Sequence, residues 1–188
     1  MFVSPESALM GTLLPTILTS VCTSSVYTEY VDWNGKKMVL RDIGFSLTIP
    51  PGVIPYRQSV KFAVCLSFSG PFVLPDGCEL VSPVYFVSAE PEIQLKKQIK
   101  LSLDHWASLE DEDSCQSLTF IFAPSDPTSE ELQSHFHFRQ LPGGIFAPDS
   151  QTGTIMVDHL SKFAIGRRLL SSTTLQREGI YLVKLSPL

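Results

Sequence analysis

Residues 43–52 read IGFSLTIPPG, and this stretch decides the fold. Phe45, Leu47 and Ile49 alternate with Ser46 and Thr48. Side chains of an extended chain point to opposite faces in turn, so this spacing predicts a strand with one face buried and one wet. Pro50-Pro51-Gly52 then ends it. Two prolines fix φ and withdraw their N–H groups, and the glycine supplies a corner.

The same period of two recurs outward from this stretch. Val60, Phe62, Val64 and Leu66 share a face, as do Ile99, Leu101 and Leu103, and Leu118, Phe120 and Phe122. Alternation of this kind marks half-buried antiparallel strands. Asn34-Gly35 predicts a tight hairpin, and Pro75-Asp76-Gly77 a further turn. Helix is scarce. The stretch SDPTSEELQ, residues 125–133, predicts one or two turns with Asp126 as N-cap and Pro127 in first position. The acidic stretch HWASLEDED, residues 105–113, predicts an exposed turn. The expected fold is all-β: a single antiparallel β-sandwich with very little helix, its core including Leu47, Ile49, Phe62, Val64, Val84, Phe86, Leu101 and Phe120.

Composition agrees and narrows the function. Hydrophobic residues make up 44% of the 188, enough for one core, and charged residues only 18%. The second figure is below the roughly 25% of typical soluble domains and suits strands that each bury a face. The formal net charge is −5, and the basic pairs Lys36-Lys37, Lys96-Lys97 and Arg167-Arg168 are far apart in sequence. A nucleic-acid partner is therefore not expected, because displacing phosphate counterions needs a cationic surface. Cys22, Cys65, Cys78 and Cys115 form no C-x-x-C pair, and reduced thiols are expected, with one disulfide as the other possibility. His135 and His137 would share a face of an extended chain, but no further metal ligand stands close by in sequence. Glu110 to Asp113 form a run without the regular spacing of a calcium loop, and read as a solvated segment. No phosphate loop and no G-x-S-x-G elbow occurs, so no cofactor and no small-molecule substrate is expected.

Residues 1–24 read as a tail, residues 25–168 as the sandwich, and residues 169–188 as a second tail or the start of a truncated companion domain. The first segment is mildly apolar, is interrupted by Pro5 and Pro15, and has no Lys or Arg before Lys36. A signal peptide carries a positive leading region, so this reading is the lesser one.

Three blocks bear a family resemblance: GFSLTIPPGVIP at 44–55, GPFVLPDGCELVSPVYFV at 70–87, with Ser82-Pro83-Val84 intact, and KKQIKLSLDH ending at His105. They resemble the ZU-five domain, a module shared by zona occludens proteins, Unc-five netrin receptors, ankyrins and death-domain platform proteins. The resemblance covers about Tyr30 to Arg168. It implies a cytoplasmic, non-enzymatic protein-interaction module of a signalling or scaffolding protein, or the cytoplasmic side of a receptor. The partners it implies are a companion β domain, a death-domain protein or a cytoskeletal protein. An exposed edge strand is the expected docking surface, and Phe72, Tyr85 and Phe86 are expected to be packing aromatics.

The resemblance also singles out VDHLSKFAIG, residues 157–166. Some members of the family cleave themselves at a His-Phe-Ser tripeptide at the domain's end, and adhesion-receptor domains use His-Leu-Ser. The matching residues are His159, Leu160 and Ser161. His159 would act as general base on the Ser161 hydroxyl, which would attack the Leu160 carbonyl of a strained peptide. Asp158 neighbours His159 and in an extended chain would point to the opposite face, so it is not cast as a triad member. The other expectation is a plain final hairpin, with Phe163 and Ile165 in the next strand.

Overall fold

The computed structural model describes residues 26–124 and 135–169. Two antiparallel sheets pack face to face. The larger has the order β1 (Tyr27–Asp32), β4 (Ser59–Ser67), β7 (Val84–Glu90), β13 (Lys162–Arg168), β9 (Leu118–Ala123), β11 (Arg139–Leu141), and β6 (Cys78–Leu80) also pairs with β13. The smaller has the order β12 (Thr152–Val157), β8 (Ile99–Asp104), β3 (Phe45–Ile49), β2 (Lys36–Leu40). A short parallel pair, β5 (Phe72–Val73) with β10 (Phe136–His137), stands beside them. Among the described residues helix is confined to a 3-10 turn at Arg41–Ile43 and to α1 (Glu112–Ser117). The fold is the all-β sandwich that the alternation predicts.

The main core lies between the sheets. Leu47, Ile49, Phe62, Val64, Leu101 and Phe120 are each at most 2% exposed in one cluster. Full burial of such a side chain is worth about 1.5–3 kcal/mol, so this face is the principal source of stability. Val84 and Phe86 are buried as expected, in a second core cluster with Cys65, Ile121, Ala123, Phe138 and Ala164. The reason is that β7, β9 and β13 bury both faces, and Phe72 and Phe136 pack over the outer one. Tyr85, between Val84 and Phe86, faces the main core instead, and its hydroxyl donates to the Ile43 carbonyl at 2.6 Å.

The expected hairpin at Asn34-Gly35 needs correction. A turn is present, with the Gly35 N–H bonded to the Asp32 carbonyl at 3.1 Å. However, β1 pairs with β4 in one sheet and β2 pairs with β3 in the other. The favoured hairpin turns need positive φ at a central residue, and here only Gly35 has it, at 73°. Asp32 in first place accepts the Asn34 N–H at 2.9 Å and Gly35 stands in fourth, the pattern of a type I turn. Such a turn splays its strands, which suits a step from one sheet to the other.

The acidic stretch is exposed only in part: Glu110 to Asp113 are exposed, but His105, Ala107 and Leu109 are buried, and its end builds a helix. Asp111 caps α1 by accepting the Ser114 N–H at 2.7 Å. The helix expected from Asp126 and Pro127 lies outside the described residues. Of the cysteines, Cys78 and Cys115 are free thiols. Cys65 is disulfide-bonded, which overturns the expectation of reduced thiols throughout.

Candidate functional site

The blocks that carry the resemblance are structural joints. Gly52 has φ 80° and its N–H reaches the Trp33 carbonyl at 2.8 Å, so Pro-Pro-Gly ties the end of β3 to the sheet-crossing turn. Ser82 is 1% exposed; its hydroxyl donates to the Pro83 carbonyl at 2.8 Å and accepts the Ile165 N–H at 2.7 Å. An unsatisfied buried N–H costs about 1–3 kcal/mol, so this hydroxyl completes the pairing of β13 where the strand ladder does not. His105 directly follows β8, is buried, and packs against Phe146 with ring centroids 6.0 Å apart. Burial pushes its pKa down, which favours the neutral imidazole.

The His-Leu-Ser tripeptide lies between β12 and β13. These strands belong to different sheets, so the segment is a crossover and not the plain hairpin expected. Phe163 and Ile165 do stand in the next strand, β13. The chain bends at Asp158 and His159, and this brings their side chains together. His159 Nδ1 lies 2.8 Å from Asp158 Oδ1. The expectation that Asp158 points away is therefore corrected: it assumed an extended chain where the chain turns. The hydrogen bond from His159 holds the Asp158 carboxyl below its usual range. With its proton on Nδ1, the ring presents Nε2 as an acceptor, the form a general base needs. Nε2 is buried with no hydrogen-bond partner among the described residues. The ring is walled by Phe122 and Phe163, at centroid distances of 5.1 and 5.8 Å.

Ser161 is 1% exposed. Its hydroxyl donates to the Ala123 carbonyl at 2.5 Å, and its own carbonyl accepts the Val87 N–H at 3.0 Å. The serine proton is thus engaged by β9 and not by His159. Transfer to Nε2 requires the hydroxyl to leave Ala123 first. Among the described non-glycine residues, positive φ occurs at Arg57 and Asp149, not at Leu160 or Ser161. Beside the tripeptide, Lys162 donates to the Pro124 carbonyl at 3.1 Å and sits 5.2 Å over the Phe136 ring; burial lowers its pKa.

His137 lies on β10 and His135 just before it, both exposed. Among the described residues no group of three His, Cys, Asp or Glu side chains gathers as metal ligands would. Glu110 to Asp113 are solvated at one end of the sandwich. No helix among the described residues is long and apolar enough to cross a membrane.

The open edges are β1 and β11 of the larger sheet and β2 and β12 of the smaller. Part of β12 is covered, since Ile145 and Thr154 exchange backbone hydrogen bonds at 2.8 and 2.9 Å. This geometry belongs with one family finding: the family model of the ZU5 domain matches residues 27–119. The chain carries a ZU5 domain. The matched residues span all three motif blocks, and the sandwich is completed beyond them by β10 to β13. A comparison with curated proteins found no match. The ZU5 domain is a protein-interaction module of signalling proteins, so a protein partner is the expected ligand.

Proposed function

We propose that this ZU5 domain is a non-enzymatic docking module of a cytoplasmic scaffold or signalling protein. The observation that carries the reading is the family match over residues 27–119, whose motif residues serve packing and strand joining rather than chemistry. The partners in view are a companion β domain, a death-domain protein or a cytoskeletal protein. Placement in the cytoplasm follows the family; the disulfide at Cys65 weighs the other way, because reducing compartments keep thiols free. One experiment addresses both points. The tagged full chain, captured from fractionated cells after mild cross-linking, is expected in the cytosolic fraction with a stoichiometric protein partner. A bait recovered alone would overturn the docking reading, and one confined to the secretory fraction would overturn the compartment.

A second reading, self-processing between Leu160 and Ser161, is favoured by the Asp158–His159 pair and the unpartnered Nε2. The Ser161 Oγ, released from Ala123, attacks the Leu160 carbonyl carbon while its proton passes to Nε2. The C–N bond breaks, the Ser161 nitrogen takes the proton back as a free amine, and an ester links Leu160 to the Ser161 oxygen. Water then hydrolyses the ester to a Leu160 carboxylate and a Ser161 hydroxyl. The products are fragments 1–160 and 161–188, formed in one turnover. They should stay together under native conditions, since β13 pairs with β6, β7 and β9. Denaturing mass spectrometry of fresh wild type is expected to show both fragments and that of Ser161→Ala only the intact chain. A wild-type mass that stays intact through days at neutral pH would eliminate the reading.

A further inference from the structure

The chain has two tryptophans, and both are exposed: Trp33 at 44% and Trp106 at 56%. They stand at opposite ends of the sandwich. Strand β8 fixes this directly, because Lys96-Lys97 immediately precede it and Trp106 follows it by two residues. Six residues of strand separate the ends by about 20 Å. The register agrees, since Lys36 at the Trp33 turn pairs with Ile49 at one end of β3, while Leu103 pairs with Phe45 at the other.

The charges that dominate beside the two rings are opposite, although Asp32, bonded to Asn34, also flanks Trp33. Trp33 packs edge-on against the exposed Tyr56 at 6.0 Å, and the Arg57 guanidinium lies 5.5 Å from the Tyr56 ring centroid. A side chain on Gly52 would meet Lys97 Nζ and Trp33 Cη2 at 3.1 and 3.5 Å, so glycine leaves this surface open. Arg57 holds φ 64°, a conformation that fixes its position at some cost. It has no carboxylate partner among the described residues. Lys97 donates to the Pro51 carbonyl at 2.7 Å, and its ammonium has no carboxylate partner among the described residues. At the other end, the segment from Trp106 leads to Glu110 and Asp111 and into the first turn of α1, Glu112 and Asp113, and these five residues are exposed. Asp111 is used as the helix cap, and Glu110, Glu112 and Asp113 have no cationic partner among the described residues.

We propose that the Trp33–Tyr56–Arg57–Lys97 surface binds the Trp106–Asp113 segment of a second copy of this chain, giving head-to-tail assembly. Tryptophan, tyrosine and arginine are the residues that dominate binding energy at interfaces. Charge complementarity selects the occupant: the cationic aromatic end of a molecule with net charge −5 meets the acidic aromatic end of its neighbour. The two ends are different surfaces, so the contact is heterologous and each added copy leaves one surface of each kind free. This names a partner for the docking module and rests on that reading.

Sedimentation of the purified full chain tests it. The weight-average mass is expected to rise with concentration at low salt, without settling at a dimer, and to fall back in high salt. Arg57→Gln/Lys97→Gln should weaken association at least roughly tenfold, as should Glu110→Gln/Asp113→Asn. Each variant keeps one intact end, so an equimolar mixture should form a dimer and stop there. That dimer also demonstrates that both variants are folded. A wild type that stays monomeric at high concentration and low salt, a closed dimer that grows no further, or a mixture that fails to pair would each overturn the proposal. A monomeric wild type that still captures a partner from cells would leave the docking reading standing.

Discussion

Phe163→Ala is expected to destabilise the chain by about 3–5 kcal/mol, the range for removing a fully buried aromatic ring. Phe163 is 1% exposed in β13, with β7 and β9 on either side of it. The strands flanking it are themselves buried on both faces, so only the His159 segment, which packs on the ring, borders the space left behind. Domain stabilities are about 5–15 kcal/mol, so the variant loses a large share of its margin. The measurement is urea unfolding, with the midpoint shifted and the slope unchanged. A loss under about 1 kcal/mol would show that β13 does not carry the core. The same ring packs against His159, so the variant should also loosen the imidazole.

The part of this fold legible in the sequence is the part decided by period two. The faces of β3 and β8, and alternate residues Val60 to Leu66 of β4, follow from alternation, and the structure buries those side chains. Which strands pair was not legible. β13 comes last among the described strands and yet lies at the centre of the larger sheet, a non-local pairing to which spacing gives no clue. The double burial of β7 also escaped, because Val84-Tyr85-Phe86-Val87 is a continuous apolar run and alternation within it has no contrast. At the tripeptide, the family pattern selects His159 and Ser161. It is silent on the bend that joins Asp158 to His159 and on the Ala123 carbonyl, 38 positions away, that accepts the Ser161 hydroxyl's hydrogen bond. The grouping of Trp33 with Tyr56 and Arg57 depends on the turn at Pro50-Pro51-Gly52 and on the crossing between sheets, neither of which leaves a pattern in spacing.

That crossing makes Gly35 the position where one methyl group should matter most. Its φ of 73° costs a residue with a Cβ about 1–2 kcal/mol in itself. A Cβ there would also stand 2.2 Å from the Ile49 carbonyl oxygen and within 2.9 Å of two Pro50 backbone atoms. Backbone cannot swing aside as a side chain can, so β2 and the end of β3 must separate where Lys36 pairs with Ile49. Gly143 provides the contrast. It has φ 91°, yet nothing lies within 4 Å of where its Cβ would be, so alanine there should cost only the conformational part. Gly35→Ala is therefore expected to lose about 2–4 kcal/mol and Gly143→Ala about 1–2 kcal/mol, both read from urea midpoints. If the two variants unfold at the same denaturant concentration, the close approach at Gly35 does not stabilise the fold, and the turn at residues 32–35 is not the joint between the sheets.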